Sequence, residues 1–269
     1  MTVFGKIISK VYQKGGKAYR QLRRDHIQFL PENPLRTVGV AKPIFNVLTD
    51  QAAKKFEFDI QKELQFYKKS HDLLEDIQDA NGIGIMLDFI KKTEHLEGDI
   101  LELGIYKGGS TVMGARYLQK LKSKRKIYAC DAFIGLPYDD KFSFTKNAKG
   151  MFSDTSAQLV KDKFKKFDVE EQIEVVEGLF EDTLYEQLSD KKFSFVLVDC
   201  DIYDATKFSL EFVYPRLAKG GIIMFDDYDR VNRDDPTGGE TLAVDEFCEA
   251  KKMEVKIFPE PHIVKSDET

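Results

Sequence analysis

Gly98-Asp99-Ile100-Leu101-Glu102-Leu103-Gly104-Ile105-Tyr106-Lys107-Gly108-Gly109-Ser110-Thr111 reads as a buried strand, a tight turn and the start of a helix. The apolar run has strand length, and the glycines behind it are turn residues. Downstream the same punctuation recurs. Lys126–Cys130 is a second strand ending at Asp131, and Ile173–Val176 a third ending near Gly178. Phe193–Val198 is a fourth, Ile222–Phe225 a fifth, Glu254–Phe258 a sixth and His262–Val264 a short last one. Helical patterns over 109–122, 155–168, 205–218 and 241–251 fall between them. This alternation predicts an α/β fold with a doubly wound, mostly parallel, seven-stranded sheet. Upstream, 47–75 and 82–94 read as helices that cap one edge of it.

In such a sheet, ligands bind beyond the carboxyl ends of the strands. Gly104 closes the first strand, and Gly108 and Gly109 let a ligand approach the backbone. Ser110 and Thr111 offer hydroxyls and N–H groups at the amino end of a helix. The spacing is neither the Gly-x-Gly-x-x-Gly of a dinucleotide fold nor the Gly-Lys-Ser/Thr of a phosphate loop. Glu102 would repel a pyrophosphate but can hold a cationic group. S-adenosylmethionine, with its ammonium and sulfonium and no phosphate, fits this turn. Asp131 is placed to accept hydrogen bonds from ribose hydroxyls. Gly178 and Phe180 are placed to flank an adenine ring, and Tyr106 belongs to the same turn.

Acids end the fourth and fifth strands. Asp199 follows Val198, and Asp226-Asp227 follow Phe225. Carboxylates converging at one edge repel one another unless protonated or neutralised. A hard, oxygen-ligated cation such as Mg2+ solves this, with Asp199, Asp226 and Asp227 as ligands. It would acidify and orient an acceptor hydroxyl. Asp201 is a further ligand, a second acceptor or a helix cap. His71 and His262 are general-base candidates, in competition with the aspartates themselves.

The 269 residues suffice for one large domain or a domain with an appendage. A net charge of -5 excludes a strongly basic nucleic-acid binder. No apolar run approaches the roughly 20 residues of a bilayer span. The three cysteines form no zinc or disulfide pattern, so a reducing, cytoplasmic setting is expected. Residues 1–24 carry seven basic side chains and no acid, with Phe4, Ile8, Val11 and Tyr12 at helical spacing. Such an arm packs on protein or makes a weak contact with an anionic membrane surface. Residues 29–46, with Pro31, Pro34 and Pro43, read as irregular connection. The stretch 138–155, with Tyr138, Phe142, Phe144 and Phe152, reads as a cover over the substrate.

The chain resembles the macrocin O-methyltransferase family, which acts on sugar hydroxyls. The likeness is carried by the quoted glycine turn, Asp131-Ala132-Phe133-Ile134-Gly135-Leu136-Pro137 and Gly178-Leu179-Phe180-Glu181-Asp182-Thr183-Leu184. It continues in Val198-Asp199-Cys200-Asp201-Ile202-Tyr203-Asp204-Ala205-Thr206, Tyr214-Pro215-Arg216-Leu217 and Gly220–Tyr228. The resemblance implies a Rossmann-like class I methyltransferase fold, S-adenosylmethionine, magnesium at Asp199, Asp226 and Asp227, and a homo-oligomer. The chain itself reads as an arm and helical cap, 1–95, and a catalytic domain, 96–269, with the resemblance covering roughly 70–250. The acceptor class it implies is a sugar or glycosylated small molecule. The competing reading is a non-catalytic or differently specific cofactor-binding protein on the same scaffold.

Overall fold

The computed structural model describes residues 50–51, 53–75, 78–140, 142, 149–228 and 239–266. The expected arm over 1–24 and the connection over 29–46 lie outside them, as do Phe144, Arg230, Arg233 and Asp234-Asp235-Pro236. Residues 49–269 form one compact unit.

Two helices precede the sheet. The helix expected over 47–75 is interrupted, because Glu57 is extended and α1 runs from Phe58 to Leu74. Ile60, Leu64, Tyr67 and Leu74 bury one stripe of it, at the spacing that aligns side chains on one face. α2 spans Ala80–Lys92. The Asp79 carboxylate caps it, accepting the N–H groups of Asn81 at 2.8 Å and Gly82 at 2.9 Å.

The α/β part then follows the expected alternation. β1 is Asp99–Leu103, α3 Gly109–Leu121, β2 Ile127–Asp131, α4 Ala157–Lys166 and β3 Ile173–Glu177. α5 is Phe180–Leu188, β4 Phe193–Val198, α6 Tyr203–Arg216, β5 Leu217–Phe225, α7 Gly239–Lys251 and β6 His262–Val264. α1 is tied to α3 by the buried Glu63, which lies 3.3 Å from both Arg116 and Lys120.

The sheet order is β3-β2-β1-β4-β5-β6. β1 to β5 pair in parallel, and β6 runs antiparallel to β5. Six strands are therefore present among the described residues. The seventh expected strand, Glu254–Phe258, is reduced to a single antiparallel bridge between Lys256 and His262. Val255 is buried there, Ile257 packs against the same core and Phe258, on the other face, is 81% exposed, but the ladder stops at the one bridge. The central strands are sealed on both faces. Every residue of β4 is buried, as parallel strands between helical layers require. Cys130, Cys200 and Cys248 are all buried in this interior and form no disulfide. No helix among the described residues is long and apolar enough to cross a membrane.

Candidate active site

The parallel ladders fix which strand ends meet. Leu103 of β1 pairs with Val198 of β4, and Val198 with Phe225 of β5. The next residues, Gly104, Asp199 and Asp226, therefore lie side by side at the carboxyl edge. The Asp199 N–H donates to Leu103 O at 2.9 Å, and the Asp226 N–H to Val198 O at 3.0 Å. The chain winds one way from β1 and the other way from β4. Their junction is the switch point at which α/β sheets open a crevice. A cleft of about 920 Å³, measured to its open mouth, occupies it. Gly104, Tyr106, Asp131, Gly178, Phe180 and Asp199 all line it.

One wall is the glycine turn, and Asp131 shapes it. Its Oδ2 accepts the N–H groups of Ile105 at 3.0 Å and Tyr106 at 2.9 Å. Its Oδ1 accepts the Phe133 N–H at 2.7 Å. Three of the roughly four acceptor positions of a carboxylate are used in this way. Burial raises the Asp131 pKa, and the three backbone donors oppose it. Tyr106 is held at a left-handed φ of 47°. Its hydroxyl donates to Asp154 at 2.6 Å, and Lys107 donates to the other Asp154 oxygen at 2.7 Å. Thr155 Oγ1 donates to Tyr106 O at 2.8 Å. Phe152 stands edge-on to Tyr106 at 5.4 Å. Of the expected cover, Tyr138 and Phe152 thus face the cleft.

The other expected turn residues are placed differently. Glu102 is buried and accepts a hydrogen bond from Ser110 Oγ, and Ser110 lines the cleft. Glu102, Gly108 and Thr111 lie behind that lining, and Thr111 is fully buried.

At the adjoining corner, one oxygen from each of Asp199, Asp226 and Asp227 lies within 4.8 Å of the other two. Asp199 and Asp226 are half-buried and Asp227 is exposed. Burial pushes the Asp199 pKa well above the carboxylate range, and the charges of Asp226 and Asp227 push it further. Converging carboxylate oxygens are the donors that hard divalent cations take. The set fits magnesium on both counts, donor type and surplus negative charge.

Two residues here carried no motif in the sequence. Gln78, in the turn between α1 and α2, donates from Nε2 to Asp199 Oδ2 at 3.3 Å. Glu240, at the start of α7, accepts the Asp227 N–H at 3.0 Å. Neither histidine candidate lines the cleft. His71 sits in the last turn of α1, 5.8 Å from the Tyr67 ring and 3.9 Å from Asp72 Oδ1. His262 is buried on β6, with Nδ1 2.7 Å from Glu260 O and its ring 4.7 Å from Phe89.

The model of the macrocin-O-methyltransferase family matches residues 61–259, more than half of the chain. The chain belongs to this family. Among curated relatives is an 8-demethyl-8-(2,3-dimethoxy-alpha-L-rhamnosyl)-tetracenomycin-C 4'-O-methyltransferase from Streptomyces olivaceus. It is 27% identical over 139 residues, covering 49% of this chain and 53% of that protein. The mycinamicin III 3''-O-methyltransferase of Micromonospora griseorubida is 28% identical over 145 residues, covering 49% and 55%. The chain thus spans about half the length of the curated relatives it matches. Among solved structures, the O-methyltransferase NovP superposes with a TM-score of 0.61 at 21% identity, covering 70% of this chain and 81% of that one. The calicheamicin methyltransferase CalS11 gives 0.63 at 18%, covering 86% and 95%. These two likenesses establish the class I methyltransferase fold of this family member.

Proposed function

We propose that this protein is an S-adenosylmethionine- and magnesium-dependent O-methyltransferase acting on a hydroxyl of a sugar or glycosylated small molecule. The observation that carries the reading is the adjacency of Gly104 and Asp199. It joins the Asp131-braced turn of the cleft, through Asp199, to the three-carboxylate corner beside it. The tetracenomycin and mycinamicin O-methyltransferases among its relatives support the acceptor class.

S-adenosylmethionine would supply an electrophilic methyl group, and magnesium a Lewis-acidic centre that orients and acidifies a hydroxyl. Asp131, braced by three N–H donors, has one acceptor position left for a ribose hydroxyl. Gly178 and Phe180 border the place for the adenine. Glu102 acts on the cofactor's cationic end through Ser110, since it is buried behind it. Asp199, Asp226 and Asp227 hold the cation, and Gln78 fixes Asp199. Of the two catalytic candidates, Asp199 is in the cleft and His71 is not. We therefore assign proton removal to the carboxylates rather than the imidazole. Most of the rate would come from alignment of the hydroxyl with the methyl group. Homo-oligomerisation, a reducing cytoplasmic setting and a membrane contact through residues 1–24 belong to the same proposal.

Calorimetric titration with S-adenosylmethionine, followed by transfer of its labelled methyl group to a panel of sugar nucleotides and glycosides, tests the reading. Binding plus a magnesium-dependent labelled product is expected. Folded protein that binds no cofactor would overturn it, and binding without transfer to any acceptor would favour a non-catalytic binder.

A pH dependence follows from Asp199. Its folded-state pKa lies above the unfolded value of about 3.8, so folding favours its protonated form. The stabilisation it gives is complete below that value and disappears as pH rises through the raised one. Ionised Asp199 then strains the metal-free protein, and a bound cation relieves the strain. The rise in Tm on adding magnesium should therefore grow as pH is raised above the ordinary carboxylate value of about 3.8. An increment that shrinks over this range would contradict the assignment.

A further inference from the structure

Glu240 is fully buried in the first turn of α7. Its Oε1 accepts the backbone N–H of Asp227 at 3.0 Å, thirteen residues back in the chain. Its Oε2 is also buried and makes no hydrogen bond among the described residues. A carboxyl buried with one oxygen unsatisfied is costly, and its place calls for a reason.

Helix capping does not supply one. The N–H of Gly239, at the start of α7, donates to Asp140 Oδ2 at 2.8 Å. Asp140 is itself buried, and its other oxygen accepts the Phe142 N–H at 3.2 Å. A Cβ on Gly239 would fall 2.4 Å from Asp140 Oδ2 and 2.3 Å from Tyr203 N. The glycine is there for close approach. Asp140 thus fixes the helix start, and the helix start delivers Glu240 to the Asp227 backbone. The neighbours whose charges act on Glu240 are Asp227, Asp226 and Asp201, so it faces the acidic corner.

We propose that Glu240 is a positioning residue of the cation site, holding Asp227 in ligating geometry through its backbone N–H. The inference rests on the cation reading above. Asp227 needs such a hold. It is the exposed member of the three carboxylates, and it follows the last residue of β5 by two positions, beyond the reach of the ladder. Without the Glu240 contact, its side chain would leave the corner that Asp199 and Asp226 define. Groups that orient metal ligands in this way typically contribute 10- to 100-fold to metal affinity.

The test is Mn2+ binding to the full-length protein, read from the paramagnetic signal of the free ion, beside calorimetric S-adenosylmethionine affinity. Glu240→Ala is expected to weaken Mn2+ at least about tenfold and to leave cofactor affinity within about twofold. Glu240→Gln keeps an oxygen acceptor for the Asp227 N–H and should recover most of the loss. Glu240→Asp keeps the charge but draws the acceptor back by one methylene, and should resemble the alanine variant. This pair decides the matter if Glu240→Ala fails to fold. Wild-type Mn2+ affinity in Glu240→Ala or Glu240→Asp would overturn the proposal and leave the cation reading standing. A loss in Glu240→Gln beside wild-type affinity in Glu240→Asp would overturn it in favour of charge alone. A wild-type protein that binds no Mn2+ would overturn both.

Discussion

Asp199→Ala is expected to lower kcat/KM for methyl transfer on the order of 10³-fold while changing S-adenosylmethionine affinity by no more than about threefold. The two effects separate because Asp199 belongs to the cation corner, whereas the cofactor turn is braced by Asp131. Cation affinity should fall by at least about 10²-fold, since one of three carboxylate ligands is gone. The same change should raise the Tm of the metal-free protein. Asp199 is held in place against burial and against the charges of Asp226 and Asp227, so its removal relieves repulsion. Loss of activity with gain of stability is the signature of a group kept for function rather than for folding. Mn2+ titration, cofactor calorimetry and a thermal melt on the one variant measure all three. An Asp199→Ala protein that turns over at the wild-type rate would remove the cation corner from the mechanism. One whose metal-free Tm falls would show that Asp199 instead supports the fold.

The elements of this site were legible to different degrees, for physical reasons. Asp131, Asp199 and Asp226 each follow an apolar run of strand length, and strand ends are where parallel sheets expose side chains. That placement follows from local pattern alone. Their adjacency does not, because strand order is set by how crossovers pack and not by any one segment. Glu102 was read as able to hold a cationic group, and the structure shows it buried on β1 with Ser110 Oγ donating to it. Period-2 alternation gives the face a residue takes, not what stands in front of it. Gln78 was illegible because it acts alone, in a turn between two helices, across 121 residues from Asp199. Glu240 was hidden because the helix signal started at 241, and an acid near a helix start is normally explained by the dipole. Only the three-dimensional path of α7, fixed by Asp140 and Gly239, turns that acid toward Asp227. The segment expected as a strand at Glu254–Phe258 keeps its alternation, with Val255 buried and Ile257 packed on the core, yet only Lys256 exchanges backbone bonds, with His262.

Gly104→Ala should unfold the protein or cost on the order of 3–5 kcal/mol, with S-adenosylmethionine binding lost. Gly104 has a φ of 86°, which a residue with a Cβ adopts only under strain. The larger penalty is steric. A Cβ there would lie 1.9 Å from the carbonyl oxygen of Asp199 and 2.9 Å from its carbonyl carbon. Both are backbone atoms, so no rotamer change relieves the clash. Relief requires the ends of β1 and β4 to part, breaking the bond from the Asp199 N–H to Leu103 O. That motion would open the cofactor turn and displace Asp199 from Asp226 and Asp227 together. Denaturant unfolding with cofactor calorimetry measures the effect. A variant with wild-type midpoint and wild-type cofactor affinity would mean that the two strand ends are not in the contact that joins the two halves of the site. The comparison with Asp199→Ala is then decisive. Truncating the side chain should spare the cofactor, whereas crowding the backbone beneath it should not. On the proposed function, Asp199 would serve the cation through its carboxylate and the cofactor turn through its peptide group.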